Sequence, residues 1–112
     1  MPDFTVTAAH HADGTIISVT GEMDIHTYPQ VEEATTVLPI GDKTLYLDLS
    51  GMPFMDSMGL NLLLRLRNRM QATGGRLILV HLQGQPSGVL HLTEAYTLFD
   101  IIAPADTFAR SA

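Results

Sequence analysis

The amino-acid sequence predicts an α/β fold with a mixed, mostly parallel sheet and helices packed around it, in the order ββαβαβαβα. Three observations carry this prediction. Strand-like and helix-like segments alternate along most of the chain, which requires crossover connections between parallel strands. The first two strand-like segments are instead neighbours, joined by Asp13-Gly14, a strong hairpin turn. The helix-like segments begin at capping residues or end at glycine or proline. A chain of 112 residues fits one domain, spanning 1–112.

The opening hairpin is predicted from two short apolar patterns. Residues 4–8 ("FTVTA") alternate apolar and polar side chains, which is typical of a half-buried strand. Residues 15–21 ("TIISVTG") are rich in β-branched side chains, which favour strands. We therefore expect the two segments to pair in the antiparallel sense.

The first helix is predicted to begin near Thr27. Thr27 and Gln30 fit a capping box, in which a hydroxyl and an amide satisfy free N–H groups reciprocally. Pro29 is tolerated in a first turn, because no helical hydrogen bond is lost there. Pro39 and Gly41 end the helix. The side chains expected to face the core are Tyr28, Val31, Ala34, Thr35 and Leu38.

The middle of the chain predicts a strand and the longest helix. Residues 44–50 ("TLYLDLS") carry little charge, so we expect this strand to lie in the centre of the sheet. A helix is predicted from Met58 to about Thr73, where Gly74 and Gly75 end it. Its apolar side is expected to contain Leu60, Leu63, Leu66 and Met70. Its polar side is expected to contain Asn61, Arg65, Asn68, Arg69 and Ala72.

The last third of the chain predicts four more elements. Residues 76–82 ("RLILVHL") are predicted to form a strand, residues 85–93 a short helix and residues 98–102 the last strand. A terminal helix is expected to start at Pro104.

Composition disfavours several classes of function. With a formal net charge of −6, the chain lacks the basic face that nucleic-acid binding needs. It has no cysteine, which removes disulfides and thiolate chemistry and is compatible with a reducing cytoplasm. None of the five histidines has a recognised metal-ligand spacing. No apolar run approaches the ~20 residues of a membrane span, and the first residues do not fit a signal peptide. We expect a cytoplasmic protein, monomeric or weakly dimeric, with no cofactor or metal and no direct contact with nucleic acid or membrane.

The stretch 54–64 ("FMDSMGLNLLL") places Ser57 at the start of the longest predicted helix. One interpretation is an N-cap, which is worth about 1 kcal/mol. A second is a nucleophile. The G-x-S-x-G turn of hydrolases, however, has glycine where this chain has Met55, although Gly59 fits. A third is a phosphorylation switch, because a helix N-terminus tolerates the charge of about −1.5 to −2 that a phosphate adds.

Other residues near Ser57 are also candidates for a functional role. Met58 lies toward the polar side of the helix and is predicted to form a soft contact surface. Met52 and Met55 either fill gaps in the core or share that surface. Asp24, which follows the second strand, either turns the chain or contributes to a site.

Two segments together resemble a known family. Residues 19–33 ("VTGEMDIHTYPQVEE") contain a strand, Gly-Glu-x-Asp and a capped helix. Residues 45–64 ("LYLDLSGMPFMDSMGLNLLL") contain a strand and then Asp-Ser-x-Gly-Leu at the start of a helix. The chain resembles the STAS domain, specifically the bacterial anti-sigma factor antagonists, over essentially its whole length. The resemblance implies a single STAS-like domain, and the fold of that family agrees with the predicted order of elements.

The resemblance implies a binding protein that works by partner switching and is not an enzyme. The unphosphorylated antagonist binds an anti-sigma factor that has serine kinase activity, and this binding releases a sigma factor for transcription. The kinase then phosphorylates the serine of the motif, here Ser57, and the complex dissociates. A metal-dependent, PP2C-type serine phosphatase restores the active form. The alternative is a non-switching STAS scaffold or adaptor in a signalling or transporter-associated complex.

The resemblance also implies the candidate site residues. Ser57 is the expected phosphoacceptor, and no catalytic residue is expected. The residues expected to support the phosphosite are Asp24, Asp56 and Gly59. The residues expected to contact a partner are Met55, Met58, Asn61, His26 and Thr27. Many members have a second Ser or Thr where this chain has Met58, so a second phosphoacceptor beside Ser57 is excluded.

Overall fold

Five strands and three helices make up the part of the chain that the computed structural model describes, residues 4–11, 14–36 and 44–102. The strands are β1 (Thr5–His11), β2 (Gly14–Thr20), β3 (Thr44–Gly51), β4 (Arg76–Val80) and β5 (Asp100–Ile102). The helices are α1 (Tyr28–Thr36), α2 (Ser57–Ala72) and α3 (Gly84–Leu92), and a 3₁₀ turn (Ala95–Leu98) precedes β5. The predicted order is confirmed as far as β5, and the helix expected from Pro104 lies outside the described residues.

The strands form one sheet in the order β1-β2-β3-β4-β5. Strands β1 and β2 pair antiparallel, and β2 through β5 pair parallel in succession. The predicted hairpin and the mostly parallel sheet are therefore confirmed. Because parallel strands end at the same edge, the loops that follow β2 and β3 meet at the carboxyl edge of the sheet.

Strand β3 lies at the centre of the sheet, as its low charge predicted. Its alternate side chains Leu45, Leu47 and Leu49 are fully buried, whereas Tyr46 and Asp48 between them are only half-buried. Successive side chains of a strand point to opposite faces, so the three leucines share one face of the sheet. That face is the one that contributes most to the hydrophobic core.

Helices α1 and α2 contact each other. Of the stripe predicted for α1, Val31 and Thr35 are buried, and Leu38 lies outside the described residues. The predicted apolar side of α2 is confirmed, and it also includes a further leucine, Leu62. Arg65 of α2 lies 3.1 Å from the carboxylate of Glu32 in α1. Both side chains are partly exposed to solvent, which screens the charges, so this ion pair contributes little to stability.

Asp48 ties the end of β3 to the residue that follows β4. Its Oδ1 accepts a hydrogen bond from the Ser50 N–H at 3.0 Å and lies 3.1 Å from Nδ1 of His81. His81 has a left-handed backbone, with φ of 58°, at the point where the chain leaves β4. Partial burial alone would raise the pKa of Asp48, but the hydrogen bonds from Ser50 and His81 outweigh it and lower that pKa below its ordinary value of 3.8.

We expect Asp48→Asn to destabilise the protein by about 1 kcal/mol at neutral pH, because the substitution removes the charge that strengthens both hydrogen bonds. The folded state holds the pKa of Asp48 below 3.8, so this stabilisation is complete above 3.8 and is lost as the pH falls through the folded pKa. The difference in unfolding free energy between wild type and variant should therefore shrink in acid. Urea unfolding at neutral and acidic pH measures it.

The matched control is Asp100→Asn, which removes an exposed ion pair with Arg76. We expect this variant to lie within about 0.5 kcal/mol of wild type at both pH values. An Asp48→Asn effect that is the same at neutral and acidic pH would contradict the assignment.

Candidate functional site

A short backbone bridge joins the loops that follow β2 and β3. Met23 and Met55 form an isolated parallel bridge. The Met23 N–H donates to the Phe54 carbonyl at 2.9 Å, and the Asp56 N–H donates to the Met23 carbonyl at 3.2 Å. Asp24 and Asp56 follow the bridged pair in the same direction, since the pairing is parallel. The bridge thus brings together two residues that lie 32 positions apart in the sequence.

Asp24 organises the loop that leads into α1. Its Oδ1 accepts hydrogen bonds from the N–H groups of His26 at 2.8 Å and Thr27 at 3.2 Å. The Thr27 hydroxyl accepts from the Asp24 N–H at 2.9 Å and donates to the Glu22 carbonyl at 2.6 Å. The hydrogen bond from His26 is the main cause that lowers the pKa of Asp24, so this carboxylate is ionised at neutral pH.

The capping box expected for Thr27 and Gln30 is not formed. The Thr27 hydroxyl turns back to Glu22 and Asp24, and the Gln30 N–H donates to the Thr27 carbonyl, not to its hydroxyl. The Asp24 carboxylate binds the N–H groups at this corner instead. Thr27 therefore holds the shape of the Asp24 loop, and its expected contact with a partner stays a prediction.

Asp56, not Ser57, is the N-cap of α2. The Asp56 backbone is extended, and its Oδ1 accepts hydrogen bonds from the N–H groups of Met58 at 2.9 Å and Gly59 at 3.2 Å. The interpretation of Ser57 as the cap is wrong, because the carboxylate one residue earlier already binds the free first-turn donors. Ser57 is the first helical residue and is exposed. Within the described part of the chain, its hydroxyl has no hydrogen-bond partner.

Gly59 lets the first turn of α2 pack directly on the bridge. A Cβ at this position would lie 2.5 Å from Cγ of Met55 and 3.2 Å from both Cγ and the carbonyl oxygen of Met23. Met23, Met52 and Met55 are all fully buried. Gly59 is thus required by close packing, and its expected role in supporting the phosphosite stays a prediction.

The expectation that Met55 contacts a partner is wrong for its side chain. That side chain is fully buried beneath Gly59, where it belongs to the hydrophobic core. Asn61 and His26 are exposed and Met58 is half-buried, so these three side chains are accessible from solvent. Asn61 lies one helical turn after Ser57 and shares its face of α2.

Three residues near the site were not predicted. Ile25 is 58% exposed beside Asp24, and Phe54 is 38% exposed just before the buried Met55. Both are large apolar residues in segments predicted as loops, and this feature of the sequence could have indicated a contact surface. Gln85 in the first turn of α3 hydrogen-bonds to the Met55 backbone. No pattern in the sequence indicates that contact, because the two residues are 30 positions apart.

The nucleophile interpretation of Ser57 needs a histidine close to its hydroxyl. His81 instead lies against Asp48. His91 packs against Tyr96, with ring centroids 4.3 Å apart. In residues 4–11, 14–36 and 44–102, no hydrogen bond joins Ser57 to a histidine, and no cluster of three or more potential ligands could hold a metal ion.

Comparison with known families identifies the class of protein. The family model of the STAS domain matches residues 5–111, so the chain belongs to the STAS family. STAS domains of anti-sigma factor antagonists are regulatory and not enzymatic, in agreement with the expectation of a protein that is not an enzyme. No curated protein sequence matches the chain significantly. None of the helices in the described residues is long and apolar enough to cross a membrane.

Solved structures show what the chain is similar to. An anti-sigma factor antagonist from Mycobacterium paratuberculosis has a TM-score of 0.77 and 26% identity, covering 88% of this chain and 85% of that one. Phosphorylated SpoIIAA, a Bacillus cell fate determinant, has a TM-score of 0.69 and 19% identity over 98% and 100% of the two chains. A sulfate transporter family protein from Wolinella succinogenes has a TM-score of 0.68 and 19% identity over 85% and 83%. The last two likenesses show the fold alone.

We expect Gly59→Ala to destabilise the protein by about 1–3 kcal/mol, because the added methyl overlaps Met55 and presses on the Met23 carbonyl. Gly88→Ala in α3 is the matched control, since a Cβ there meets nothing within 4 Å. Replacing a helical glycine with alanine at an open position stabilises by about 0.5–1 kcal/mol. Thermal and urea unfolding should thus give changes of opposite sign, and equal changes would contradict the packing role.

We expect Asp56→Ala to lose about 1 kcal/mol of stability, because two first-turn N–H groups of α2 lose their acceptor. Ser57→Ala should change stability by less than about 0.5 kcal/mol, as is usual for an exposed side chain without such contacts. Urea unfolding of both variants measures the difference. If Ser57→Ala proved the more destabilising, Ser57 would be the cap after all.

Proposed function

We propose that this chain is an anti-sigma factor antagonist whose binding is switched off by phosphorylation of Ser57. The observation that carries the proposal is the state of Ser57 itself. Ser57 is the first residue of α2 and is exposed. Its hydroxyl makes no hydrogen bond within the described residues. A kinase can therefore reach the hydroxyl without breaking the fold, which a capping serine would not allow as readily.

Phosphate at Ser57 would keep much of its charge unneutralised by the protein. The N–H groups of Met58 and Gly59, which otherwise suit an anion, are already bound to Asp56. Asp56 precedes Ser57, and the bridge brings Asp24, whose carboxylate is ionised, to the same edge. The positive end of the α2 dipole still tolerates the phosphate. The fold thus survives, and the added charge of about −1.5 to −2 is presented to whatever binds this edge.

The edge around Ser57 also offers apolar contact area. Ile25 and Phe54 are large exposed apolar side chains in the two bridged loops, and Met58 is half-buried next to Ser57. Such side chains suit the centre of a protein interface, where a charge without a partner is strongly unfavourable. Phosphorylation of Ser57, which follows Phe54 closely in the chain and precedes Met58, is therefore expected to lower the affinity for a partner strongly.

The proposed cycle has two partners. The unphosphorylated chain binds an anti-sigma factor with serine kinase activity, which releases a sigma factor, and a PP2C-type serine phosphatase reverses the modification. The Mycobacterium paratuberculosis neighbour is described as an anti-sigma factor antagonist, and that likeness supports the proposal. The cytoplasmic location expected from the sequence stays a prediction.

We expect wild-type protein, incubated with ATP and purified anti-sigma factor kinases from its source organism, to take up one phosphate, and Ser57→Ala to take up none. The phosphorylated protein should bind the same kinase at least tenfold more weakly, which corresponds to about 1.4 kcal/mol. Intact-protein mass spectrometry measures the modification, and calorimetry measures the affinity before and after it.

Ser50→Ala is the matched control, because Ser50 is an exposed serine at the end of β3. It should be phosphorylated like wild type. Labelling of Ser57→Ala at the wild-type level would overturn the assignment of Ser57. Stable association with other proteins, without modification by any of the kinases, would favour a non-switching scaffold.

A further inference from the structure

We infer that Gln85 is a positioning residue that fixes the segment carrying Ser57, an inference that rests on the proposed function of that serine. Gln85 lies in the first turn of α3 (Gly84–Leu92), far from Ser57 in the sequence. Its side-chain amide reaches across to the loop after β3 and binds the backbone of Met55, two residues before Ser57.

The contact is bidentate. Oε1 of Gln85 accepts a hydrogen bond from the Met55 N–H at 2.8 Å, and Nε2 donates one to the Met55 carbonyl at 3.1 Å. One side-chain amide thus satisfies both backbone polar groups of Met55. A side-chain amide presents a donor and an acceptor as a neighbouring strand does, so Gln85 takes the place of a strand on this side of the loop.

The other side of the loop is held by Met23. The Met23 N–H binds the Phe54 carbonyl, and the Met23 carbonyl binds the Asp56 N–H. The segment from Phe54 to Asp56 is therefore held from both sides, by backbone on one side and by Gln85 on the other. Asp56, the last residue of this segment, is the N-cap of α2, and Ser57 follows it directly.

Loss of Gln85 releases one of the two sides. The N–H and carbonyl of the buried Met55 would lose their partners, which is unfavourable for buried backbone groups. The Met23 bridge alone permits the segment to tilt about its remaining hydrogen bonds. Since a kinase must align the serine hydroxyl with ATP, a displacement of about 1 Å can lower the chemical rate by up to about a hundredfold.

Gln83 provides a matched control on the same turn. It is the N-cap residue of α3, and its Nε2 donates to the His81 carbonyl at 2.8 Å. Gln83 thus makes a side-chain amide contact of the same kind near the same helix end, but not to the Met55 segment. Substitution of Gln83 therefore tests the effect of disturbing the start of α3 in general. Substitution of Gln85 tests the loss of the two hydrogen bonds to Met55.

Gln85→Glu separates positioning from simple loss of packing. An ionised carboxylate of the same size accepts from the Met55 N–H but cannot donate to the Met55 carbonyl. The protonated carboxyl can do both. The perturbation of the Ser57 segment should therefore be present at neutral pH and should reverse toward wild type in acid, which a merely space-filling role would not produce.

The experiment compares backbone amide NMR spectra of wild type, Gln85→Ala, Gln85→Glu and Gln83→Ala. We expect both Gln85 variants to shift the Met55, Ser57 and Met58 amides at neutral pH, and Gln85→Glu alone to recover them in acid. We expect Gln83→Ala to leave them in place. Shifts that stop at Met55 and do not reach Ser57, or no recovery in acid, would overturn the inference.

Phosphorylation kinetics provide the second arm. With a kinase that labels wild type, Gln85→Ala should lower kcat at least tenfold at temperatures where the variant is folded, with a smaller change in KM. Gln83→Ala should match wild type. An unchanged kcat would overturn the positioning role while leaving Ser57 as the acceptor. Failure of every kinase to label wild type would count against the proposed function, and the NMR arm would then decide whether Gln85 positions the segment.

Discussion

The parallel bridge between Met23 and Met55 is the contact on which the site depends. It extends the pairing of β2 and β3 past their ends, so that two loops become one rigid edge of the sheet. Both methionine side chains are fully buried beneath it, and α2 packs closely on it because Gly59 has no side chain. The position of Ser57 is thus set by the core and not by the loop alone.

The two aspartates at this edge have structural roles that leave the serine free. Asp24 binds the backbone of its own loop, and Asp56 binds the first turn of α2. Each carboxylate replaces a hydrogen bond that the backbone could not otherwise make. Because Asp56 already accepts hydrogen bonds from the first turn of α2, the Ser57 hydroxyl is not needed as a cap and is available for modification. The same carboxylates supply negative charge, so the phosphate proposed at Ser57 would add to the charge of this surface and would not be neutralised by them.

The sequence predicted most of the fold because the relevant signals are local. The alternation of apolar residues placed β1 and β2, the stripe of Leu60, Leu63 and Leu66 placed α2, and Gly74, with its left-handed φ of 82°, ended it. Prediction from the sequence failed where two neighbouring side chains could each accept hydrogen bonds from the same first-turn N–H groups. Asp56 and Ser57 can both cap α2, and only the path of the chain decided that the aspartate does so. Likewise, the periodicity of a short loop could not show that Met55 is buried and Phe54 is exposed.

By itself the sequence determined the order of elements, the candidate serine and, through two motifs, the STAS resemblance. These follow from periodicity, turn residues and spacing, which act over a few positions along the chain. Only the tertiary structure decided which groups bind which at the carboxyl edge. The Met23–Met55 bridge and the contact from Gln85 join residues about 30 positions apart. Hydrogen bonds to the backbone of these loops depend on where three segments meet in space and leave no pattern in the residues that make them.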